Sequence, residues 1–305
     1  MKKLFSLILI VALLTLTLAG CYKNDYALMI GVTTSQSGAK VSSTVAAIVI
    51  DKDYRIVSCR IDSIDVTAKI EDGSITAEPS YRSKAELGEE YGMLTNSPYY
   101  GSSLAEWDAQ ARAFESYVVG KTHAEVKSIA LTDGGKATDE VLTAGCTIAV
   151  TDFIKAIDKA FSSGYMVGLQ TKADITLGVA VNAGVSAKNE TTASFTADFG
   201  AVAIAEGRIL ATIIDSKEVT STVSDGEFGK ITDKGTKLEQ GDSYGMVAYG
   251  DAIGEWYEQA QAFADTAIGK SPSELSALAI EGVAGCTMYA GGYKQVLIKA
   301  ASYAR

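Results

Sequence analysis

The chain contains two copies of one unit, and this internal repeat limits its possible folds more than any other feature of the sequence. Shifted by 153 positions without a gap, residues 55–93 match residues 208–246 at fifteen of thirty-nine positions. Shifts of 149 and then 140 continue the match, and the last one places 144–147 on 284–287. The repeat therefore predicts two domains of one fold, which agrees with a length of 305 residues.

Each copy runs from strand-like to helix-like segments. The strand-like segments are rich in β-branched residues and span 44–50 and 55–66 in the first copy, and 201–205 and 208–219 in the second. Helical patterns follow, and each copy closes with an amphipathic helix, at 151–161 and 293–303. Strands followed by helices within one unit predict the α+β class, with two repeated domains that are each a small antiparallel sheet with packed helices.

The first long helix of each copy has recognisable ends. Trp107 and Phe114 lie seven residues apart in the first copy, as do their counterparts in the second, so they share one helical face. Gly120 and Gly269 are typical helix stops. A capping box is predicted for this helix at Ser103–Glu106, and for the next short helix at Thr122–Glu125 and Ser271–Glu274.

The N-terminus has the pattern of an export signal. Lys2 and Lys3 precede an uncharged apolar run over 4–19, which is shorter than the roughly 20 residues of a spanning helix. The run ends in Leu18-Ala19-Gly20-Cys21, which resembles the lipobox of bacterial lipoproteins. We therefore expect an extracytoplasmic protein held to the cell membrane by lipid on Cys21. An uncleaved membrane anchor is the alternative.

These patterns divide the chain into five segments. We predict a signal peptide at 1–20, a lipidated cysteine and tether at 21–26, the first repeat at 27–163, a linker at 164–172 and the second repeat at 173–305.

Composition excludes several classes of function. The formal net charge of -10 argues against a nucleic-acid partner, because phosphate binding needs a basic surface. The single histidine, His123, excludes most zinc sites and Ser-His-Asp catalysis. The cysteines beyond Cys21 form no C-x-x-C pair, so no metal is expected; a Cys146–Cys286 disulfide remains open.

One short motif precedes the closing helix in both copies. It reads Ala-Gly-Cys-Thr at 144–147 and again at 284–287. The longer stretch 281–287, Glu-Gly-Val-Ala-Gly-Cys-Thr, resembles the D-G-x-S-G-A-T signature of the FMN-binding domain family. That family includes flavin-bearing subunits of Rnf and sodium-pumping NADH:quinone oxidoreductase complexes, and flavin-bearing lipoproteins outside the cytoplasm.

The resemblance implies a flavin site and an electron carrier. In the family a flavin transferase joins FMN through its phosphate to the last threonine of the motif, which is Thr287 here and Thr147 in the first copy. The neighbouring motif positions would complete the cofactor site, namely Glu281, Gly285, Cys286, Gly145 and Cys146. The partners implied are a flavin transferase and redox proteins. We expect a carrier without catalytic residues of its own rather than an enzyme.

Departures from the signature keep an alternative open. Ala284 stands in place of serine, Cys286 in place of alanine, and the first copy has Val141 where the acid belongs. The same four residues suit a packed turn of small side chains with a buried thiol. The alternative function is a flavin-free binding or scaffold lipoprotein of the same fold. Four aromatic residues have a different role under each hypothesis, namely Trp107, Trp256, Tyr91 and Tyr244. In a flavin-free protein they belong to the core, whereas in the flavin hypothesis they are suited to stacking on the isoalloxazine ring.

Overall fold

The computed structural model describes residues 25–78, 80–95 and 103–305. The predicted signal peptide and Cys21 lie outside the described residues. The strands of the first repeat are β1 (Tyr26–Ser37), β2 (Lys40–Asp51), β3 (Ile56–Glu71) and β4 (Ser74–Ala77), followed much later by β5 (Val167–Leu169). Those of the second repeat are β6 (Thr176–Asn189), β7 (Thr192–Ala205), β8 (Arg208–Ser224), β9 (Glu227–Phe228) and β10 (Thr232–Asp233).

The helices of each repeat follow its main strands. They are α1 (Lys84–Leu87), α2 (Trp107–Val118), α3 (His123–Lys127), α4 (Glu140–Thr143) and α5 (Thr151–Ser163) in the first repeat. The second has α6 (Lys237–Gln240), α7 (Met246–Gly250), α8 (Trp256–Asp265) and α9 (Gly291–Ser302). Short 3₁₀ helices span Gly88–Tyr91, Gly241–Tyr244 and Pro272–Ala277. Among the described residues, no helix is long and apolar enough to span a membrane.

Each repeat forms one antiparallel sheet. The strand order is β4-β3-β2-β1-β5 in the first sheet and β10-β8-β7-β6 in the second, where β9 also pairs with β8. Strand β5 lies within the segment 164–172 and pairs with β1. The fold is therefore α+β with two antiparallel sheets, as the repeat and its element order predict.

The two sheets pack face to face and share one apolar layer. In β1, Leu28, Ile30 and Val32 point into this layer, because side chains alternate along a strand. Facing them from the second sheet are Leu177, Val179, Val181, Phe195, Phe199 and Ile213, which belong to the same cluster. The repeats therefore do not form separate hydrophobic cores, because each sheet covers one face of the other.

The outer face of each sheet is covered by the helices of its own repeat. In the first repeat, Met29 and Ile48 contact the layer that contains Phe114 of α2 and Ile157 of α5. The second repeat has the same arrangement, with Val202, Ile214, Trp256, Phe263 and Leu297 in its outer core. The molecule thus has four layers in the order helices, sheet, sheet, helices.

Equivalent ion pairs cross between the repeats. Glu86 of α1 and Lys299 of α9 approach to 2.6 Å, and Glu239 of α6 and Lys159 of α5 approach to 2.8 Å. The two pairs correspond under the shifts of 153 and 140 residues found in the sequence. Each glutamate also completes the capping box of its own short helix. A pseudo-twofold relation therefore holds between the repeats.

One buried ion cluster breaks this pseudo-symmetry. Glu115 of α2 accepts hydrogen bonds from Arg60 at 3.1 Å and from Arg305 at 3.2 Å. Arg60 also donates to the carbonyl of Leu177 in the second sheet. The counterpart of Glu115 is Ala264, so the second repeat has no equivalent of the glutamate at the centre of this cluster. It ties the C-terminus of the chain to the first repeat.

Several local predictions need correction. The first strand of each sheet, β1 and β6, lies outside the segments predicted as strands. The capping box at Ser103–Glu106 is wrong, because the Glu106 carboxylate instead accepts the backbone N–H groups of Met93 and Leu94. The boxes at Thr122–Glu125 and Ser271–Glu274 are confirmed. Cys146 and Cys286 are free thiols in different outer cores, so the open disulfide does not form.

Two glycines of β6 differ sharply in the space around them, and this difference predicts their tolerance to substitution. A Cβ atom on Gly178 would lie 1.9 Å from the carbonyl oxygen of Ala300 in α9, whereas a Cβ on Gly184 would meet nothing within 4 Å. We expect Gly178→Ala to destabilise the protein by about 1–3 kcal/mol through overpacking. Gly184→Ala should change stability by no more than about 0.5 kcal/mol. Urea unfolding of both variants measures this, and equal losses would contradict the packing of α9 on β6.

Candidate functional site

Thr287 lies in a tight turn just before the closing helix of the second repeat. Its backbone N–H and its hydroxyl both donate to Oε1 of Gln259, at 2.8 Å and 2.9 Å. The threonine itself is exposed, whereas Gln259 is completely buried on α8. The turn therefore presents an exposed threonine whose backbone is held at a defined position.

Thr147 has the same contacts in the first repeat. Its N–H and hydroxyl donate to Oε1 of the buried Gln110 of α2, at 2.8 Å and 3.1 Å. Gln110 and Gln259 correspond under the shift of 149 residues. Thr147 differs in being only half-exposed. Neither glutamine was predicted as a site residue, although a glutamine at the same position of both copies would have indicated one.

Each buried glutamine also fixes the loop that leads into its helix. The amide group of Gln259 donates to the carbonyl of Gly254 at 2.8 Å, and that of Gln110 donates to the carbonyl of Ala105 at 2.7 Å. One side chain thus joins the start of the helix to the Ala-Gly-Cys-Thr turn. Because buried amide groups cost free energy when left without partners, this arrangement depends on all of these bonds being made.

The small residues of the motif pack closely against the same helices. A Cβ atom on Gly285 would lie 3.1 Å from Cβ of Ala262, and one on Gly145 would lie 2.7 Å from Cβ of Ala113. Gly285 also has a φ of 80°, in the region that favours glycine. The glycines therefore bring the turn close to helices α8 and α2.

The motif cysteines are buried rather than reactive. Cys146 and Cys286 belong to the outer cores of their repeats. Burial raises the pKa of the Cys146 thiol to about 11, which keeps it protonated at neutral pH. Because the thiolate is the nucleophilic and metal-binding form, neither reaction is favoured at Cys146. Among the described residues, no cluster of three metal-ligating side chains occurs.

The surroundings of Thr287 are open but not basic. Glu281 and Tyr289 are both exposed near the turn. At the N-terminus of α9, a Cβ atom on Gly292 would lie 3.3 Å from Oδ2 of Asp198. Burial raises the pKa of the Asp198 carboxyl. A protein carboxyl group thus lies beside the first turn of α9, the end of the helix that would attract a phosphate.

The aromatic residues divide between core and surface. Trp107 and Trp256 are buried, and Trp256 donates its indole N–H to the hydroxyl of Tyr293 at 3.1 Å. The ammonium group of Lys237 lies 5.2 Å from the ring centroids of both Tyr244 and Trp256. Lys84 has the same position beside Tyr91 and Trp107 in the first repeat, at 5.4 Å and 5.6 Å. The tryptophans are therefore core residues, each covered by a lysine.

Two buried aspartates occupy equivalent positions and were not singled out from the sequence. Oδ1 of Asp215 accepts the N–H groups of Ser216 and Leu238, and Oδ1 of Asp62 accepts the corresponding groups of Ser63 and Ala85. Burial raises the pKa of Asp215 to about 7 and that of Asp62 to about 6. Both aspartates anchor the short helix whose glutamate pairs with the other repeat.

Comparison with known proteins returned no match among family models, curated proteins or solved structures. The resemblance of residues 281–287 to the FMN-binding signature therefore stays a hypothesis.

The Gln259 contacts predict unequal costs for two substitutions. Gln259→Leu leaves the N–H of Thr287 and the carbonyl of Gly254 without partners, so we expect a loss of about 2–4 kcal/mol in the free energy of unfolding. Thr287→Val removes only the hydroxyl donor and should cost less than about 1 kcal/mol, because the N–H bond remains. Urea unfolding compares them, and a cost for Thr287→Val as large as that for Gln259→Leu would refute this division of roles.

The raised pKa of Asp215 predicts a pH dependence of stability. The pKa rises from 3.8 to about 7 on folding, so the folded protein binds the proton more tightly between these values. The stabilisation that the protonated Asp215 gives the folded state is complete below about pH 4 and is lost as the pH rises to about 7. Asp215→Asn does not titrate, so its stability relative to the wild type should increase by on the order of 2–4 kcal/mol between pH 4 and pH 8.

Urea unfolding midpoints across this pH range measure the effect. Asp225→Asn is the matched control, since Asp225 is an exposed turn residue of the same repeat. Parallel pH profiles for the wild type and Asp215→Asn would show that Asp215 does not cause the dependence.

Proposed function

We propose that the protein is an extracytoplasmic lipoprotein, anchored through Cys21, that carries FMN on Thr287 and transfers electrons between redox partners. The observation that supports this most directly is that Thr287 is exposed on a turn held by Gln259. A transferase needs access to the hydroxyl, and a carrier needs its cofactor at the surface. The sequence motif and the exposure of its last threonine therefore both support attachment of FMN at Thr287.

The hydrogen bonds of the turn are compatible with esterification. A phosphoester on Thr287 removes the hydroxyl proton and hence one of the two bonds to Gln259. The backbone N–H of Thr287 keeps its bond to Oε1 at 2.8 Å. The turn can therefore keep its position with a phosphate attached, since the backbone bond and the packing of Gly285 on Ala262 are unchanged.

The residues divide the remaining tasks between them. Thr287 would hold the cofactor covalently, and Tyr289, exposed two residues later, offers an aromatic face to it. Bound FMN supplies one- or two-electron transfer. The Asp198 carboxyl beside the first turn of α9 would oppose a phosphate there, so attachment would depend on the ester rather than on the helix dipole. Thr147 is less exposed, and we expect it to be loaded less completely.

A flavin-free binding or scaffold module is the second candidate. It is favoured by the use of both polar groups of Thr287 and Thr147 in equivalent internal hydrogen bonds. In this case the Ala-Gly-Cys-Thr turns serve only to join the closing helices to α2 and α8.

Intact mass and visible absorption distinguish these candidates. We expect wild-type protein, exported in cells that contain a flavin transferase, to gain the mass of FMN less one water and a flavin absorption band. Thr287→Ala should lose most of this adduct, whereas Thr191→Ala, which removes an exposed threonine of a hairpin turn, should keep it. Absence of any adduct in the wild type would rule out the covalent carrier. A flavin absorption band without the adduct would indicate FMN held non-covalently, and absence of both would leave the flavin-free module.

A further inference from the structure

An open pocket of about 400 Å³ lies on the second repeat, and the residues of the motif turn do not line it. Strand β8, helix α6, the 3₁₀ helix Gly241–Tyr244 and helix α7 contribute to it. Its volume falls in the range of small-molecule sites in proteins. Thr287 does not line it, so ligand binding in this pocket does not depend on the proposed flavin.

The charge of the pocket opposes that of the whole chain. The lining includes three lysines, Lys188, Lys234 and Lys237, and one carboxylate, Glu218, which gives a formal charge of +2. The chain as a whole has a formal net charge of -10. The positive charge of the pocket attracts anions, whereas the rest of this acidic protein repels them.

Only one of these lysines is neutralised by a close ion pair. Lys188 pairs with Glu218 at 3.1 Å, and Glu218 also accepts from Ser194 at 2.8 Å. Within the described ranges, no carboxylate oxygen pairs with Lys234 or Lys237 at 4.0 Å or less. Lys237 instead rests between two aromatic rings. Two ammonium groups therefore remain able to bind an anion.

Aromatic side chains and hydroxyl groups complete the lining. Tyr249 is 91% exposed, and its ring lies over the backbone of Gly245, since a Cβ atom there would be 2.6 Å from the ring. The other face of that ring is open. Thr220, Thr232 and Ser243 add hydroxyl groups that hydrogen-bond polar ligands. The pocket thus offers a stacking surface beside positive charge.

The first repeat provides an internal comparison. Lys84 and Tyr91 repeat the scaffold pair Lys237 and Tyr244, but Lys234 is replaced by Tyr81 and Ser243 by Glu90. Asp65, which lies 3.6 Å from Lys84, is the counterpart of Glu218, so both repeats have this carboxylate. The repeats differ in the extra lysine at 234 and the missing carboxylate at 243, and the shared fold does not require this difference.

We propose that this pocket binds an organic phosphate that carries a planar ring, with the phosphate at Lys234 and Lys237 and the ring against Tyr249. Lysine binds phosphate as a point charge, and an exposed tyrosine face stacks with an aromatic ring. The ligand is held without a covalent bond, so no group is transferred.

Calorimetric titration with AMP, adenosine and inorganic phosphate tests the assignment on protein made without flavin transferase. AMP should bind most tightly of the three, and added salt should weaken it. Lys234→Ala and Tyr249→Ala should each lower the affinity by about threefold to tenfold. Lys230→Ala, which alters an exposed residue outside the lining, should leave it unchanged.

Three results would overturn the proposal. They are the absence of AMP binding at millimolar concentration, equal binding of adenosine and AMP, and equal losses in the control and pocket variants. Lys234→Gln serves as a second variant, and circular dichroism verifies that each protein is folded. Flavin attachment at Thr287 is measured separately by mass, so failure of one proposal does not decide the other.

Discussion

The apolar layer between the two sheets is the interaction on which the rest of the structure depends. Each sheet buries one face against its own helices and the other against the opposite sheet. Neither repeat could leave the shared face exposed without a large unfavourable contact between apolar side chains and water. The duplication of the unit therefore supplies each sheet with its covering layer, and the pairs Glu86–Lys299 and Glu239–Lys159 join the two halves at equivalent places.

Both faces of each sheet are covered, so the candidate functional groups lie at the ends of helices and along the outer strands. The Ala-Gly-Cys-Thr turns lie at the ends of the outer helices, and the basic pocket lies along β8 and helices α6 and α7. The two copies have kept the scaffold contacts, such as Gln110 and Gln259, while their surfaces have diverged. Functional differences between the repeats are therefore expected in exposed residues such as Lys234 and Tyr289.

The sequence predicted much of this architecture, and its failures have physical causes. The α+β class, the closing helices, two capping boxes and the burial of both tryptophans follow from local patterns. Strands β1 and β6 were missed because glycine, alanine and polar residues weaken their β-type pattern, although each lies beside a stronger strand. At Ser103–Glu106 the motif was present, but the glutamate found better partners in Met93 and Leu94.

The sequence by itself determined the duplication, the order of strands and helices and the candidate threonines, because these depend on residue identity and local periodicity. Only the tertiary structure decided that the two sheets share one core, since complementary packing is not written in any short segment. It also decided that Asp62 and Asp215 are buried, that the glutamines hold the threonine turns, and that Lys188 lines one pocket with Lys234 and Lys237. Each of these depends on which residues meet across the sheets and helices, at separations along the chain that local pattern does not record.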